Sequence, residues 1–165
     1  MITFVYKNIL FQMKLVNKMM ITIVSYANIY DIWRNHLWPE RTSAITPTSA
    51  MIFLGGYDTG NMNNTATFFA FVANKKIYGV NSGHLCTDGS YRSRGLFVFP
   101  EYRNKGIGTD LLLATIDQGN KESAKFTWSY PKQTSWNAYK KAGYSLSSPW
   151  EKSELGFNAY CIKNY

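Results

Sequence analysis

Residues 96–113 read LFVFPEYRNKGIGTDLLL, the pattern of a buried strand, a polar turn and the first turns of a helix. Pro100 ends the strand because it has no amide to donate to a ladder. Arg103, Asn104 and Lys105 bring charge and donors, Gly106 and Gly108 let an anion approach the backbone, and Thr109 adds a hydroxyl. Leu111, Leu112, Leu113 and Ile116 then give the helix an apolar face. This order aims the unpaired amides of a helix start at one point, where the helix dipole also favours negative charge, so the turn reads as a phosphate site. Arg103-x-x-Gly106-x-Gly108 is not a Walker loop, which needs Lys-Ser/Thr after its last glycine, nor the G-x-G-x-x-G dinucleotide fingerprint. A plain glycine turn ahead of a core helix is the competing reading.

The stretch resembles the acyl-CoA site of the GNAT N-acetyltransferase superfamily, whose signature Arg/Gln-x-x-Gly-x-Gly/Ala lies between the fourth strand and the third helix. Here it is Arg103-Asn104-Lys105-Gly106-Ile107-Gly108, preceded by a similar strand end, Leu96 to Tyr102. A second block, Tyr139-Lys140-Lys141-Ala142-Gly143-Tyr144, is similar to the family's Tyr-x-x-x-Gly-Phe at the close of the fourth helix. Lys125-Phe126-Thr127-Trp128-Ser129-Tyr130 fits the fifth strand between them. The resemblance is specific from about Tyr91 to Tyr144 and vague before that.

The resemblance implies acetyl-CoA as acyl donor, with the amides of Arg103, Asn104, Lys105, Gly106, Ile107, Gly108 and Thr109 around its pyrophosphate. It implies that the backbone of Phe97 and Val98 bonds the pantetheine arm as a strand partner. Tyr139 takes the place of the tyrosine that protonates the departing thiolate. A phenol suits that task because it stays protonated at neutral pH. Two positions depart from the family. The strand glutamate that deprotonates the amine in several members is Arg92 here, and arginine cannot accept a proton. The family's asparagine seven residues before the tyrosine is Lys132. His84, Asp88, Glu40 and Asp58 are the side chains left as candidate bases, with a water chain or no base as alternatives.

A chain of 165 residues suits one domain with a proper core. At 45% hydrophobic and 17% charged it is ordinary globular composition, and 16% aromatic content points to an aromatic-rich core or pocket. The net charge of +8 can attract nucleic acid, anionic lipid or a polyanionic ligand, and CoA is itself polyanionic. Nucleic acid is disfavoured, since the lysines are scattered and no aromatic-basic recognition motif stands out. Cys86 and Cys161 are too few for a disulfide framework and read as buried thiols of a reducing compartment, so a cytoplasmic protein is expected. His84-x-Cys86 lacks a second ligand pair, so no metal is expected. No membrane span is expected either, because Lys7, Lys14 and Lys18 interrupt the apolar start. Residues 1–18 read as an N-terminal extension and 19–165 as a single domain, for which a homodimer is one available assembly.

Around the phosphate turn, residues 20–25 read as the first strand and 28–37 as a helix stopped by Pro39. Residues 41–50 read as a loop with room for one helical turn, 51–54 as a short strand, and 57–65 as a mobile loop. Residues 66–73 and 77–86 form a hairpin about Asn74-Lys75-Lys76, and 91–99 the next strand. A helix, a strand over 126–130, a helix over 134–142 and a final hairpin follow, with Leu155, Phe157 and Ala159 alternating as a half-buried last strand. The fold expected is α/β (α+β), a mixed, mostly antiparallel sheet with helices on both faces, as the superfamily has.

The function expected is transfer of an acetyl group from acetyl-CoA to an amine of a small molecule or protein by direct attack. Arg92 and Arg94 share a strand face by alternation, and there they would favour an acceptor bearing carboxylate or phosphate. The bland alternative is a pair of solvated arginines. Rival functions are a non-catalytic acyl-CoA sensor, which the absent strand glutamate motivates, and a basic nucleic-acid-binding module.

Overall fold

The computed structural model describes residues 19–165. The expected N-terminal extension, 1–18, lies outside the described residues.

Strand β1 (Met20–Val24) leads into helix α1 (Tyr26–Ile32), which widens into a π-helical turn over Trp33–Leu37. After a long loop come β2 (Ala66–Ala73), β3 (Lys76–Leu85) and β4 (Tyr91–Val98). Helix α2 (Ile107–Lys121) crosses to β5 (Phe126–Ser129), and α3 (Trp136–Lys141) precedes β6 (Ser145–Leu146). Strands β7 (Glu151–Ser153) and β8 (Gly156–Asn158) form a separate hairpin, and β9 (Cys161–Asn164) ends the fold. The seven-stranded sheet has the order β1-β2-β3-β4-β5-β9-β6. Only β4 and β5 pair in parallel, because only they are joined by a crossover helix.

Helices cover both faces, as the run Phe68-Phe69-Ala70-Phe71 requires. Alternation sends Phe68 and Ala70 to one side, where they pack with Ile29 and Trp33 of α1, Val80 and Phe97. Phe69 and Phe71 meet Ile107 and Leu111 of α2 on the other side. Leu112 and Ile116 extend that layer to Tyr139, Ala142, Tyr144 and Cys161. The β2–β3 hairpin turns on Asn74 and Lys75, both at positive φ, which is the two-residue turn whose twist matches the strands.

Four local expectations are corrected. Residues 51–54 form no strand: Met51 makes one bridge to Tyr57, and the chain folds back through Leu54 at φ 64 and the two glycines after it. Four apolar residues specify too few ladder bonds to resist that turn. The segment 57–65 is a pinned 3-10 turn (Thr59–Asn63). The Asp58 carboxylate caps Gly60 N at 2.8 Å, and the buried Asn61 amide oxygen accepts from Thr87 N at 2.7 Å. Residues 41–50 contain no helical turn. The last strand of the main sheet is β9, whereas Leu155 to Ala159 runs through the outlying hairpin with Phe157 exposed.

One irregularity positions everything functional. Val80 pairs with Phe97 but Ser82 pairs with Arg94, so Asn81 alone faces Gly95 and Leu96. This bulge bends β4 and reverses its side-chain parity. Arg92 and Arg94, before it, face α1, and beyond it Leu96 packs with the α2 layer while Phe97 joins the α1 core. Gly95 has φ 79, and its carbonyl accepts from Trp33 Nε1 at 2.8 Å. A Cβ there would stand 2.3 Å from the Trp33 ring. Gly95→Ala should therefore cost about 3 kcal/mol, combining overpacking with a left-handed backbone. A melting temperature lowered by roughly 10 °C in calorimetry is the expected sign.

Candidate functional site

Beyond the bulge, β4 and β5 separate. Their ladder contains only Tyr91↔Thr127 and Arg92↔Trp128, although β4 continues to Val98. The edge of β4 that would face β5 is thus open over its second half. Phe99 N donates to Tyr78 O at 3.0 Å, so by alternation Val98 and Leu96 turn their peptide groups to the opening. Val98 O already accepts from Arg103 Nε at 2.8 Å. Phe97 O faces β3, 2.9 Å from where a Cβ on Gly79 would lie. Of the two residues expected to offer main chain to a ligand, Val98 has the outward geometry and Phe97 does not.

The opening leads into a cavity of about 390 Å³. The turn after β4 forms its floor. Asn104 (φ 60) and Gly106 (φ 83) take left-handed conformations, and nothing lies within 4 Å of where a Gly106 side chain would begin. The first amide of this helix start with a backbone acceptor is Asp110, on Gly106 O at 3.0 Å. The amides of Ile107, Gly108 and Thr109 stand free at the open first turn. Phe97, Val98, Arg103, Asn104, Gly106, Ile107, Gly108 and Thr109 all line the cavity. Lys105 does not; its ammonium lies 5.8 Å over the Tyr102 ring. Tyr102 is itself a wall residue, stacked on Tyr78 at 3.6 Å.

The opposite wall escaped the reading of the sequence. His36 and Leu37 come from the π-helical turn, and Lys132, Thr134, Ser135, Asn137, Ala138 and Lys141 from α3 and the segment before it. Lys132, which replaces the family's asparagine, was the one signal in the sequence for this wall. Arg103, Lys132 and Lys141 line the cavity, and among the described residues no carboxylate does. Free amides, a helix dipole and three cations make it a polyanion site.

Tyr139 lies behind the wall, buried, with neighbouring Ala138 on the surface of the cavity. Its hydroxyl makes a long contact with Ser129 Oγ (3.4 Å), whose own proton goes to Ser93 O at 2.9 Å. Ser93 and Ser129 are the first residues past the last β4–β5 pair, so the phenol sits at the apex of the opening. Burial raises its pKa further above the ordinary tyrosine value, and the phenol is protonated throughout the neutral range.

Arg92 and Arg94 occupy the other face at the same level. Arg92 stacks 5.0 Å over Trp128 and donates to Ser49 Oγ and, at 3.2 Å, to Met51 Sδ. Arg94 sits 4.8 Å from Trp33 and 5.0 Å from Trp38, and donates to Thr46 O at 2.7 Å. Both are buried, which overturns the reading of two solvated arginines. Burial, and for Arg94 the charge of Arg92, lowers them to about 10 and about 9, so both remain charged at neutral pH. A cation–π contact contributes up to about 2 kcal/mol, whereas withdrawing an ion from water costs several. The indoles alone do not balance these charges.

The candidate bases separate. Asp58 is bonded to the Thr87 hydroxyl and Gly60 N, and Asp88 to Ser90 N and Oγ at 2.8 and 2.7 Å. Glu40 is exposed. His84 is buried directly opposite Arg92 in the ladder. Its Nδ1 lies 3.2 Å from Leu85 O and its Nε2 has no partner. Cys86 and Cys161 are free and buried. Among the described residues no group of His, Cys, Asp and Glu side chains is placed to hold a metal ion, and no helix is long and apolar enough to cross a membrane.

The chain and its fold are similar to known proteins. The family model for the acetyltransferase (GNAT) domain matches residues 64–146. No curated protein matches the chain. Among solved structures, the IAA acetyltransferase from Bacillus cereus ATCC 14579 is 11% identical with a TM-score of 0.67, over 90% of this chain and 100% of that one. The GNAT-family acetyltransferase from Staphylococcus aureus Mu50 is 16% identical with a TM-score of 0.60, over 89% and 99%. A Bacillus subtilis acetyltransferase in complex with CoA is 12% identical with a TM-score of 0.60, over 90% and 99%.

His84 gives the site a pH signature. Burial first, then the Arg92 charge, lowers its pKa from 6.5 to about 4. The unfolded chain therefore takes up a proton before the folded one does. This contribution to stability is intact above pH 6.5 and is lost as pH falls to about 4. The loss should total about 3 kcal/mol. Denaturant melts at about pH 7.5 and about pH 5 should show the decline, and His84→Gln should flatten it.

Proposed function

This chain belongs to the GNAT acetyltransferase family, and from that premise we propose that it is an N-acetyltransferase that moves an acetyl group from acetyl-CoA to an amine of a small molecule or protein. The observation that carries the reading is the set of free amides from Ile107 to Thr109 on a carboxylate-free cavity, at the place where β4 parts from β5.

The residues present fit the donor. The open first turn of α2, with Asn104, Gly106 and Gly108 in the floor, holds the pyrophosphate, and Arg103, Lys132 and Lys141 offset its charge. Lys105, off the cavity wall, contributes its backbone amide and long-range charge. The peptide groups of Leu96 and Val98 bond the pantetheine arm as a strand partner, while the Phe97 ring backs it from the α1 core. Bound acetyl-CoA supplies a thioester carbonyl open to direct amine attack. A strand amide near Val98 polarises the carbonyl oxygen as charge develops, and Tyr139, at the apex, donates a proton to the leaving sulfur. Much of the acceleration comes from holding amine and thioester together. His84 Nε2 is the best-placed proton acceptor of the four candidates, as it alone is uncommitted and on the face of Arg92 and Arg94. The free thiols of Cys86 and Cys161 fit a reducing compartment, in keeping with a cytoplasmic enzyme.

Incubation with acetyl-CoA and a panel of amines should release CoA thiol in an amine-dependent way. Absence of release with every amine, at measurable CoA affinity, overturns catalysis and leaves an acyl-CoA sensor. Tyr139→Phe should lower kcat about 100-fold and leave CoA affinity within about 3-fold; an unchanged kcat removes the assigned proton donor. Gly106→Ala should weaken CoA binding about 10-fold by calorimetry, at a stability cost of about 1 kcal/mol for the left-handed backbone.

A further inference from the structure

Among the described residues, the charges on the α1 face of β4 have no counter-ion. Arg92 and Arg94 are 8% and 6% exposed. The charged or titratable groups around Arg92 include Cys86, Tyr160, Arg41 and Tyr139, those around Arg94 include Arg92, Arg41 and Tyr26, and His84 faces both. None is a carboxylate. A third guanidinium, Arg41, stacks 5.1 Å over the same Trp38 that backs Arg94. The acceptors supplied by the protein are neutral: one hydroxyl, one thioether and one carbonyl. Arg92 Nε, buried, has no acceptor among the described residues. Residues 41–50, which roof the two heads, contain neither helix nor strand and are held by side-chain bonds, from Tyr26 to Ile45 O and from the two arginines themselves to Thr46 O and Ser49 Oγ.

The position of this cluster gives it meaning. Ser93 lies between the two arginines in sequence, and its carbonyl anchors Ser129 beneath the Tyr139 hydroxyl. The guanidinium heads and the phenol therefore flank the apex of the opening from opposite faces of one strand. An amine approaching the apex from the α1 side brings the rest of its molecule against Arg92 and Arg94. Their side chains start about 7 Å apart along the strand and stack on different indoles, so they present separate planar donor sets. Guanidinium donors of this kind match carboxylate and phosphate oxygens.

We propose that the acceptor is an amine that also carries a carboxylate or phosphate group, and that Arg92 and Arg94, with Arg41 at the rim, hold that anion while the amine faces the thioester. This rests on the acetyltransferase reading and narrows it to one class of acceptor.

Matched pairs of amines test the inference on the unmodified protein: glycine against glycinamide, phenylalanine against phenylalaninamide, and 2-aminoethyl phosphate against ethanolamine, with spermidine alongside. Thiol release from acetyl-CoA is the readout. The anionic member of at least one pair should exceed its neutral partner about 30-fold or more in kcat/KM, the scale set by leaving a buried charge unpaired. The carboxylate and phosphate pairs show which anion is meant. In Arg92→Gln the gap should fall to about 3-fold or less with CoA affinity held, since Arg92 does not line the CoA cavity. Neutral amines or spermidine matching or beating the anionic ones would overturn the inference while leaving acetyl transfer intact. So would an anionic preference that survives in Arg92→Gln. Faster turnover of succinyl-CoA than acetyl-CoA with neutral amines would place the anion on the acyl group and also overturn it. Absence of release with any amine, beside measurable CoA binding, fails the acetyltransferase reading and this inference with it. If Arg92→Gln does not fold, the paired comparison on the unmodified protein decides.

Discussion

The contact between Trp33 and Gly95 organises this molecule. The indole N–H holds the Gly95 carbonyl at 2.8 Å, and the ring occupies the volume any side chain at that position would need. That pins the bulge of β4 against the π-helical turn that follows α1. The bulge bends β4 away from β5 and leaves their ladder two pairs long. Without it the two strands would continue side by side and close the cavity. It also reverses the parity of β4, so Arg94 and Leu96, which share a face in a regular strand, point to opposite sides.

The two sides of β4 then differ in kind. Towards α2, neutral hydrogen bonds hold the apex. Asn81 Nδ2 donates to Ser93 Oγ and Thr115 Oγ1 at 2.9 and 2.8 Å, and Ser129 links Ser93 O to Tyr139. Towards α1, guanidinium groups lie on indoles, and among the described residues neither forms a salt bridge. The strand thus has the Tyr139 phenol packed on one side of it and two guanidinium groups on the other. The cavity beyond the bulge, lined by Arg103, Lys132 and Lys141, extends the positive field along the strand.

Much of this was legible in the chain because it is encoded locally. The turn between β4 and α2 needs only the residues from Pro100 onward: a proline to stop the strand, glycines for left-handed or open backbone, and an apolar run to start the helix. The hairpin at Asn74-Lys75 and the two-faced burial of 68–71 are of the same kind. The loops were misread where distant partners decide. Asn61 is fixed by Thr87, 26 residues away, and the run 51–54 yields to the turn at its own end. The outlying hairpin and β9 could not be told apart by alternation, because both offer a half-apolar strand and only the vacancy beside β5 selects one. The α3 wall of the cavity was missed because its residues are polar and unremarkable until α2 lies across from them.

By itself, the sequence determined the family, the order of the elements around the phosphate turn, and the pairing of Arg92 with Arg94 on one face, since each follows from spacings of a few residues. The tertiary structure decided that those arginines are buried on tryptophans, that Val98 and not Phe97 turns its peptide group to the opening, and that Tyr139 stands at the apex. Those outcomes depend on a bulge, a strand separation and a roof loop assembled from residues far apart in the chain. The physical reason is parity: one extra residue in β4 exchanges the faces of everything beyond it, and only packing against Trp33 fixes where that residue falls.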